Sequence, residues 1–473
     1  MSYISVHFAA MTAALFFLYY VMPKRFQPYL LLLGSLYFYF RCSGLLLAVM
    51  LAASVLAYAY GRIAISKHMF FQSKYLCALC VILLLAPLLF FKYNTMSIGI
   101  PIGISFYTLQ LIAYCVDVYK GKCTPEKNLL HFILFTSFFP QILQGPIPRY
   151  EELKTTLLVP HEYKKEDVAS GFSKILAGLF LKFLIANKAA VLVDYVFNSN
   201  ELELMSGCAF LLAGILYSFQ LYADFLSCVF LAQGISLLFG IHLSENFSQP
   251  YCAASIKDFW RRWHMSLSSW LRDYVYIPLG GNRKGVIRTN INLLLTFLVS
   301  GIWHGVGFKF AFWGLLHGIY QIIGKYTLSL RDKFFTAVKC PHRIRMVISR
   351  ISTFLLVMTA WIIFRANSLA DGLYALWAIL FRFSCGTLVT NTSADSLLIL
   401  GLSVPELILL ILCIALILYF DYRADNGHPQ TGLLVEKSAF RQCVCALIML
   451  LIIAVFGTYG FGYDAGTFIY GGF

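Results

Sequence analysis

The chain has 473 residues, of which 60% are hydrophobic and only 12% are charged, and its formal net charge is +15. This composition excludes an ordinary soluble protein, in which about one quarter of the residues are charged. The basic residues stand in short segments between apolar runs, as in Lys24–Arg25, Lys164–Lys165 and Arg283–Lys284, which is typical of cytoplasmic loops in membrane proteins and argues against a nucleic-acid partner.

Apolar runs long enough to cross a bilayer, about 18 residues or more, recur along the whole chain. The run near residues 5–22 has no basic segment before it and no small-residue cleavage site, so it is predicted to span the membrane rather than to be cleaved. The sequence therefore predicts an all-α membrane protein, one polytopic domain over residues 1–473. About ten to twelve membrane helices are expected, near residues 5–22, 28–41, 43–60, 75–91, 170–192, 206–222, 225–240, 288–303, 308–324, 350–366, 400–420 and 440–457.

Two stretches are unsuited to simple spanning helices. The first, residues 101–107, begins with proline and glycine and is followed by the polar Gln110, and the second, residues 138–149, contains three prolines and two glutamines. Irregular backbone at membrane depth persists only where protein or a wet cavity satisfies its polar groups. We expect re-entrant or kinked segments that line a cavity, and the alternative is a pair of extramembrane loops.

The segment 255–285 has an amphipathic helical pattern. Its apolar face carries three tryptophans, which favours a helix lying along the cytoplasmic interface with tryptophans among the lipid headgroups and arginines in water. His264 falls at the border of the two faces. The apolar face comprises Ile256, Phe259, Trp260, Trp263, Leu267, Trp270 and Leu271.

Three histidines stand in apolar surroundings. His304 ends a strongly apolar run within Ser300–Gly307, and a titratable group at membrane depth is a functional candidate because it is costly to place there. Imidazole can take a proton from a hydroxyl near neutral pH, although a histidine hydrogen-bonded between helices is an equal alternative. His317 is interpreted as a packing or hydrogen-bonding histidine. His264 could shape a donor channel or anchor the interfacial helix.

No convincing metal signature is present, because neither His304 nor His317 has a histidine or an acid three or four positions later. Cys77 and Cys80 form a CxxC pair inside an apolar run, where buried reduced thiols are expected. Asp224, within or near the membrane, could relay protons or be a paired structural acid, as could Asp117, and the structural role is favoured for both.

Taken together, several segments resemble the membrane-bound O-acyltransferase family, and its alginate O-acetyltransferase branch in particular. The core signature covers residues 246–318, and its longest part runs from Asn246 to Arg283 and includes the sequence Asp-Phe-Trp-Arg-Arg-Trp-His-Met-Ser. The resemblance covers nearly the whole chain. The matching segments are Asn246–Arg283, Gly301–Gly305, Trp313–Gly318, Pro101–Tyr107, Phe139–Arg149, Trp361–Ala366 and Phe468–Tyr470.

The resemblance implies a helical membrane fold around a central funnel, with His304 as the catalytic histidine and His264 as a second histidine on the donor side. It also implies a multi-pass protein of the cell membrane, of the bacterial plasma-membrane type and surrounded by lipid, that binds no cofactor. An acyl thioester such as acetyl-CoA would enter from the cytoplasm, and a partner acyl-relay protein or an extracytoplasmic glycan would present the acceptor from outside. The expected substrate channel contains Trp303, Trp263, Arg261, Ser266, Gln144 and His317.

The sequence departs from the branch in three places, namely at Asp224–Phe230, at Gln144 and at Gly471–Phe473, and these departures bear on the acceptor and on partner contacts. Other functions therefore stay open. The first is an acyl transporter without chemistry, the second is D-alanyl transfer from a carrier protein to teichoic acid, and the third is a scaffold for a polymer-export complex.

Overall fold

The computed structural model describes residues 3–64, 74–93, 99–385, 388–393, 396–428 and 439–459. The terminal motif Phe468–Tyr470 lies outside these residues. The described residues form nineteen α-helices, which confirms the predicted all-α membrane fold. The helices are α1 Val6–Val21, α2 Gln27–Ser43, α3 Leu47–Ala64, α4 Lys74–Tyr93, α5 Ile104–Tyr119, α6 Leu129–Ser137, α7 Tyr150–Leu157, α8 Lys165–Phe180, α9 Asn187–Phe197, α10 Gly207–Leu238, α11 Ile256–Arg262, α12 Met265–Leu271, α13 Gly285–His304, α14 Phe308–Tyr326, α15 Leu328–Ala337, α16 His342–Arg365, α17 Leu369–Phe381, α18 Val404–Asp425 and α19 Ala439–Phe456.

A small antiparallel sheet lies between α17 and α18. Its strands are β1 Val389–Ser393, β2 Ser396–Ile399 and β3 Leu402–Ser403, in the order β1-β2-β3. The β2–β3 register pairs Ile399 with Leu402. Such a short sheet leaves the helices to form the two large buried apolar clusters of the described chain.

Seven helical segments of the described chain are long and apolar enough to cross a bilayer, and four apolar helices are shorter. The predicted runs 206–222 and 225–240 are one helix, the 32-residue α10. The predicted interruption between them is absent because Asp224 is paired inside the protein instead of marking a polar loop. The seven segments are Lys24–Ala64, Lys74–Tyr93, Lys165–Phe197, Gly207–Leu238, Gly285–His304, His342–Arg365 and Val404–Asp425.

The length of α10 orients the fold. At 1.5 Å per residue its 32 residues extend about 48 Å, more than the roughly 30 Å of a bilayer's apolar core, so its ends lie on opposite sides. The carbonyl of its last residue, Leu238, accepts a hydrogen bond from the Tyr20 hydroxyl (2.8 Å). Tyr20 stands four residues before the basic Lys24–Arg25 pair. Basic segments favour the cytoplasm. The beginning of α10, at Gly207, therefore faces the opposite, extracytoplasmic side.

A buried ion pair lies near the middle of α10. Lys182 Nζ is 2.6 Å from Asp224 Oδ1, and the two side chains are 4% and 1% exposed. Lys182 belongs to a π-helical turn, Leu181–Ala186, between α8 and α9. Charges at membrane depth persist when they face a partner inside the bundle, and this pairing agrees with the structural role expected for Asp224.

The two stretches predicted to be irregular pack against each other, although in the first of them only residues 101–103 are irregular and residues 104–107 begin α5. Gly103 has a left-handed backbone (φ 69°), and a Cβ atom there would lie 2.3 Å from the carbonyl oxygen of Ile142. Most of residues 138–149 are buried in turns between α6 and α7. Because both stretches are enclosed by protein, the re-entrant interpretation is favoured over two extramembrane loops.

Close packing of α13 on α14 determines where His304 lies. A Cβ atom on Gly301 would lie 2.1 Å from the carbonyl oxygen of Phe310, and one on Gly314 would lie 2.2 Å from that of Phe297. Small residues of this kind allow two membrane helices to approach until their backbones touch. The end of α13, and with it His304, is thereby held against the first turns of α14.

We predict that Gly314→Ala lowers the thermal unfolding midpoint of the protein in detergent, because the added methyl group forces α13 and α14 apart. Overpacking of this kind costs about 1–3 kcal/mol. Gly324→Ala on the same helix is the matched control, since a Cβ there meets nothing within 4 Å and alanine favours a helix by about 1 kcal/mol over glycine. Equal midpoints for the two variants would contradict the packing described.

Candidate active site

His304 is the last residue of α13 and is only 2% exposed. Its ring is surrounded by aromatic side chains, with centroid distances of 4.9 Å to Trp303, 5.0 Å to Trp313 and 5.5 Å to Phe364. The latter two rings belong to α14 and α16. Close packing from three helices holds the imidazole in one place and keeps bulk water away from it.

His264 joins α11 to α12 in a left-handed backbone conformation, with φ 45° and ψ 55°. Its Nδ1 lies 3.3 Å from the Asn246 side-chain oxygen, which also accepts hydrogen bonds from the backbone N–H (3.0 Å) and the hydroxyl (2.9 Å) of Ser266. Because that oxygen can only accept, Nδ1 carries the proton of this contact. Nε2 has no hydrogen-bond partner among the described residues and presents a lone pair.

Asn246 is the functional candidate that sequence reasoning missed. Its oxygen holds both His264 and Ser266, and the Ser266 hydroxyl in turn accepts the backbone N–H of Ile147 at 3.1 Å. A line of hydrogen bonds therefore runs from the re-entrant 138–149 stretch to the second histidine. The available signal was the position of Asn246 at the start of the signature segment, eighteen residues before His264.

Trp303 packs against both histidines. Its ring centroid is 4.9 Å from that of His304 and 6.2 Å from that of His264. The indole N–H donates to the Ser105 carbonyl at 3.3 Å, and the Lys92 ammonium donates to the carbonyl of Trp303 itself. Lys92, in the last turn of α4, was not singled out from the sequence. These bonds join α4, α5 and α13 around the tryptophan.

The two histidines lie at different depths. His264 packs on Phe225, near the midpoint of α10, with a centroid distance of 4.7 Å. His304 lies at the far end of α13, which begins beside Arg283–Lys284, and it contacts Phe364 near the end of α16. Because the basic starting ends of both helices favour the cytoplasm, His304 lies closer to the extracytoplasmic side than His264.

His317 has the hydrogen-bonding role that the sequence favoured. It is fully buried on α14, and its Nδ1 accepts the Trp260 indole N–H at 3.2 Å. Trp313 lies between His317 and His304, 5.0 Å from each ring. His317 therefore supports the aromatic surroundings of His304.

The predicted interfacial helix was wrong in two respects. The segment divides into α11 and α12 at His264, and Trp260, Trp263 and Trp270 are 8%, 1% and 7% exposed, so they pack inside the protein. Trp263, for example, lies 5.2 Å from Trp361 of α16. Their helical spacing indicated an apolar face, but it could not distinguish protein from lipid headgroups as the surroundings.

The remaining predicted channel residues differ in position. Ser266 joins the His264 network, and Gln144 is 2% exposed with no hydrogen-bond partner for its Oε1 among the described residues. Arg261 is exposed on α11.

The expected open funnel is not seen at the histidines, because His264 and His304 are 1% and 2% exposed in this conformation. Substrates could reach them only after side chains move.

Comparison with known proteins shows which family this chain resembles. The family model described as MBOAT, membrane-bound O-acyltransferase family, matches residues 125–370. A "probable alginate O-acetylase AlgI" of Azotobacter vinelandii is 34% identical over 436 residues, 88% of this chain and 83% of that protein. A peptidoglycan O-acetyltransferase of Helicobacter pylori is 36% identical over 312 residues, 60% of this chain and 57% of that protein. A teichoic acid D-alanyltransferase of Bacillus subtilis is 36% identical over 237 residues, 46% of this chain and 57% of that protein.

We predict that His317→Leu destabilises the protein by about 1–3 kcal/mol, because it leaves the buried Trp260 N–H without an acceptor. His317→Gln is the matched variant, since its amide oxygen can still accept that hydrogen bond. It should therefore lose less stability than His317→Leu. Thermal unfolding in detergent measures the difference. A midpoint for His317→Gln as low as that for His317→Leu would show that the hydrogen bond is not what matters there.

Proposed function

Because this chain belongs to the membrane-bound O-acyltransferase family, we propose that it transfers an acetyl group from a cytoplasmic thioester to a hydroxyl of an extracytoplasmic polysaccharide. It is a multi-pass membrane acyltransferase, and its proposed location is the cell membrane. His304 is the proposed catalytic residue, and His264 is placed on the donor side.

The site assignment rests on three aromatic rings in contact, those of His264, Trp303 and His304. Together they extend from mid-membrane depth toward the extracytoplasmic side. A donor and an acceptor that arrive from opposite faces need a meeting point between them. Fixing two reactants together can supply roughly 7–11 kcal/mol of the barrier. Trp303 packs against both histidines, so its displacement would open a place beside them where the thioester carbonyl and the hydroxyl meet.

The proposed chemistry requires one proton acceptor and no redox step. The His304 imidazole takes the proton of the acceptor hydroxyl while the hydroxyl oxygen attacks the thioester carbonyl carbon. The tetrahedral intermediate then collapses, a C–O bond remains and the C–S bond breaks, and the proton leaves with the thiolate as a thiol. General-base assistance of this kind contributes roughly 10²–10⁴-fold. The His264 ring, with Nε2 unoccupied, can hold a polar group of the donor by a hydrogen bond.

The relatives support acetyl transfer to a polysaccharide, because the two with the greater coverage of this chain are named for O-acetylation of alginate and of peptidoglycan. D-Alanyl transfer to teichoic acid is a second candidate, supported by the Bacillus relative over 46% of this chain. The two differ in donor. Purified protein incubated with labelled acetyl-CoA and, separately, with D-alanyl carrier protein would distinguish them by which label becomes ester-linked to polymer.

We predict that His304→Ala lowers acetyl-ester content by about 100-fold or more, because the proton acceptor is removed. The variant would be expressed in a strain deleted for its own gene, and esters would be measured on isolated surface polysaccharide and cell wall. His342→Ala, an exposed histidine at the start of α16, is the control and should keep wild-type content. Wild-type acetylation by His304→Ala at equal membrane abundance would reject the assignment.

We also predict that Asn246→Leu reduces the rate about 100-fold, because a ring displaced by about 1 Å no longer meets its substrate. Asn246 acts as a positioning residue through His264, so Asn246→Asp, which keeps an acceptor oxygen for the same three donors, should retain more activity. The ratio of the two rates at matched protein abundance is the readout. Equal rates for both variants would argue against positioning through this oxygen.

A further inference from the structure

Two cysteines on the extracytoplasmic side lie close together although they are far apart in the sequence. Cys208 is the second residue of α10, and Cys385 follows the end of α17. Their sulfur atoms are 3.1 Å apart across a sequence separation of 177 residues. Cys208 is half-buried and Cys385 is exposed. The exposed thiol can therefore be reached from water.

The backbone around the pair is held together without the sulfurs. The Gly207 N–H donates to the Arg382 carbonyl at 3.0 Å, and the Arg382 guanidinium donates to the Glu203 carbonyl at 2.7 Å. A Cβ atom on Gly207 would lie 2.1 Å from the Ala378 carbonyl oxygen, so the start of α10 is packed directly on α17. A disulfide has an S–S length of about 2.05 Å. The sulfurs need to approach by only about 1 Å to form one.

The charge of the segment before α10 agrees with the placement of Cys208 and Cys385 outside the cytoplasm. Residues 198–206 contain Glu201 and Glu203 and no lysine or arginine, whereas the opposite end of α10 adjoins Tyr20 and the following Lys24–Arg25 pair. Short basic loops mark the cytoplasmic side. Disulfides form and persist on the other side, in the oxidising compartment.

A second close pair of thiols shows why proximity alone is insufficient. The sulfurs of Cys80 and Cys115 are 3.6 Å apart, but both residues are buried inside the packing of α4 and α5. Thiol–disulfide exchange requires an attacking thiolate that an oxidant can reach. This buried pair is therefore an internal reference that stays reduced.

We propose that Cys208 and Cys385 form a disulfide that fastens the extracytoplasmic start of α10 to the end of α17. The oxidant is a disulfide, either a small molecule or a thiol oxidoreductase outside the cytoplasm. The Cys385 thiolate attacks it to give a mixed disulfide and one free thiol, and the Cys208 thiolate then displaces the second thiol. Two protein thiols lose two protons and two electrons, and the oxidant is reduced to two thiols.

The test uses the full-length protein in the membranes of its own cells. Cells are quenched in acid, denatured and alkylated with N-ethylmaleimide without reductant, and the digest is examined by mass spectrometry. The expected result is a linked pair of peptides carrying Cys208 and Cys385, lighter than their sum by two hydrogen atoms, while Cys80 and Cys115 are alkylated. Alkylation of both Cys208 and Cys385 in the wild-type protein would overturn the proposal.

A matched variant shows whether the link is specific and whether it stabilises the fold. In Cys208→Ser the linked peptide should vanish and Cys385 should become alkylated. Dithiothreitol should lower the unfolding midpoint of the wild-type protein in detergent and leave the Cys208→Ser/Cys385→Ser midpoint unchanged. A linked peptide that joins Cys385 to a different cysteine in the wild-type protein would overturn the pairing, and an equal effect of dithiothreitol on both midpoints would overturn the fastening of α10 to α17.

Discussion

The left-handed backbone at His264 is the constraint on which the arrangement of the site depends. A non-glycine residue in this conformation costs about 1–3 kcal/mol and persists only where its surroundings enforce it. The irregular segment Asn246–Ser248 enforces it here. Met265 N–H donates to the Asn246 carbonyl at 3.0 Å and Ser248 N–H donates to the Arg262 carbonyl at 2.9 Å. The Asn246 side chain adds the bond to His264, and the turn directs that ring toward Trp303.

The fold and the candidate site could be predicted from the sequence to different extents. Apolar run lengths and basic loops indicated a polytopic helical membrane protein, and the Trp-His-Gly context made His304 a candidate for the site. Both signals could be read from the sequence because they are local. The break at His264 was not predicted, since the helical period of 256–271 is continuous and the bonds that stop the helix come from Asn246, eighteen residues away. The sequence also did not predict that residues 206–222 and 225–240 form one helix, α10. The partner that accommodates Asp224 inside this helix is Lys182, which lies 42 residues away in the sequence.

Polar groups at membrane depth divide into two kinds in this protein. Lys182 and Asp224 neutralise each other where α10 packs on the π-helical turn, which secures the scaffold. His264 and His304 are enclosed by aromatic rings, with one nitrogen of His264 left open. A site that excludes water strengthens electrostatic interactions with a bound substrate and protects a thioester from hydrolysis. For the proposed transfer to occur, Trp303 or another side chain that covers the histidines has to move when substrate binds.

In the proposed reaction a donor carbonyl and an acceptor hydroxyl meet beside His304. The most direct measurement is a cryo-electron microscopy structure of the protein in lipid nanodiscs with a non-cleavable ketone analogue of acetyl-CoA. We expect Trp303 to move away from the two histidines and the analogue's carbonyl to lie within about 3.5 Å of the His304 imidazole. A bound analogue whose carbonyl lies remote from His304, with Trp303 still packed against both histidines, would contradict this expectation.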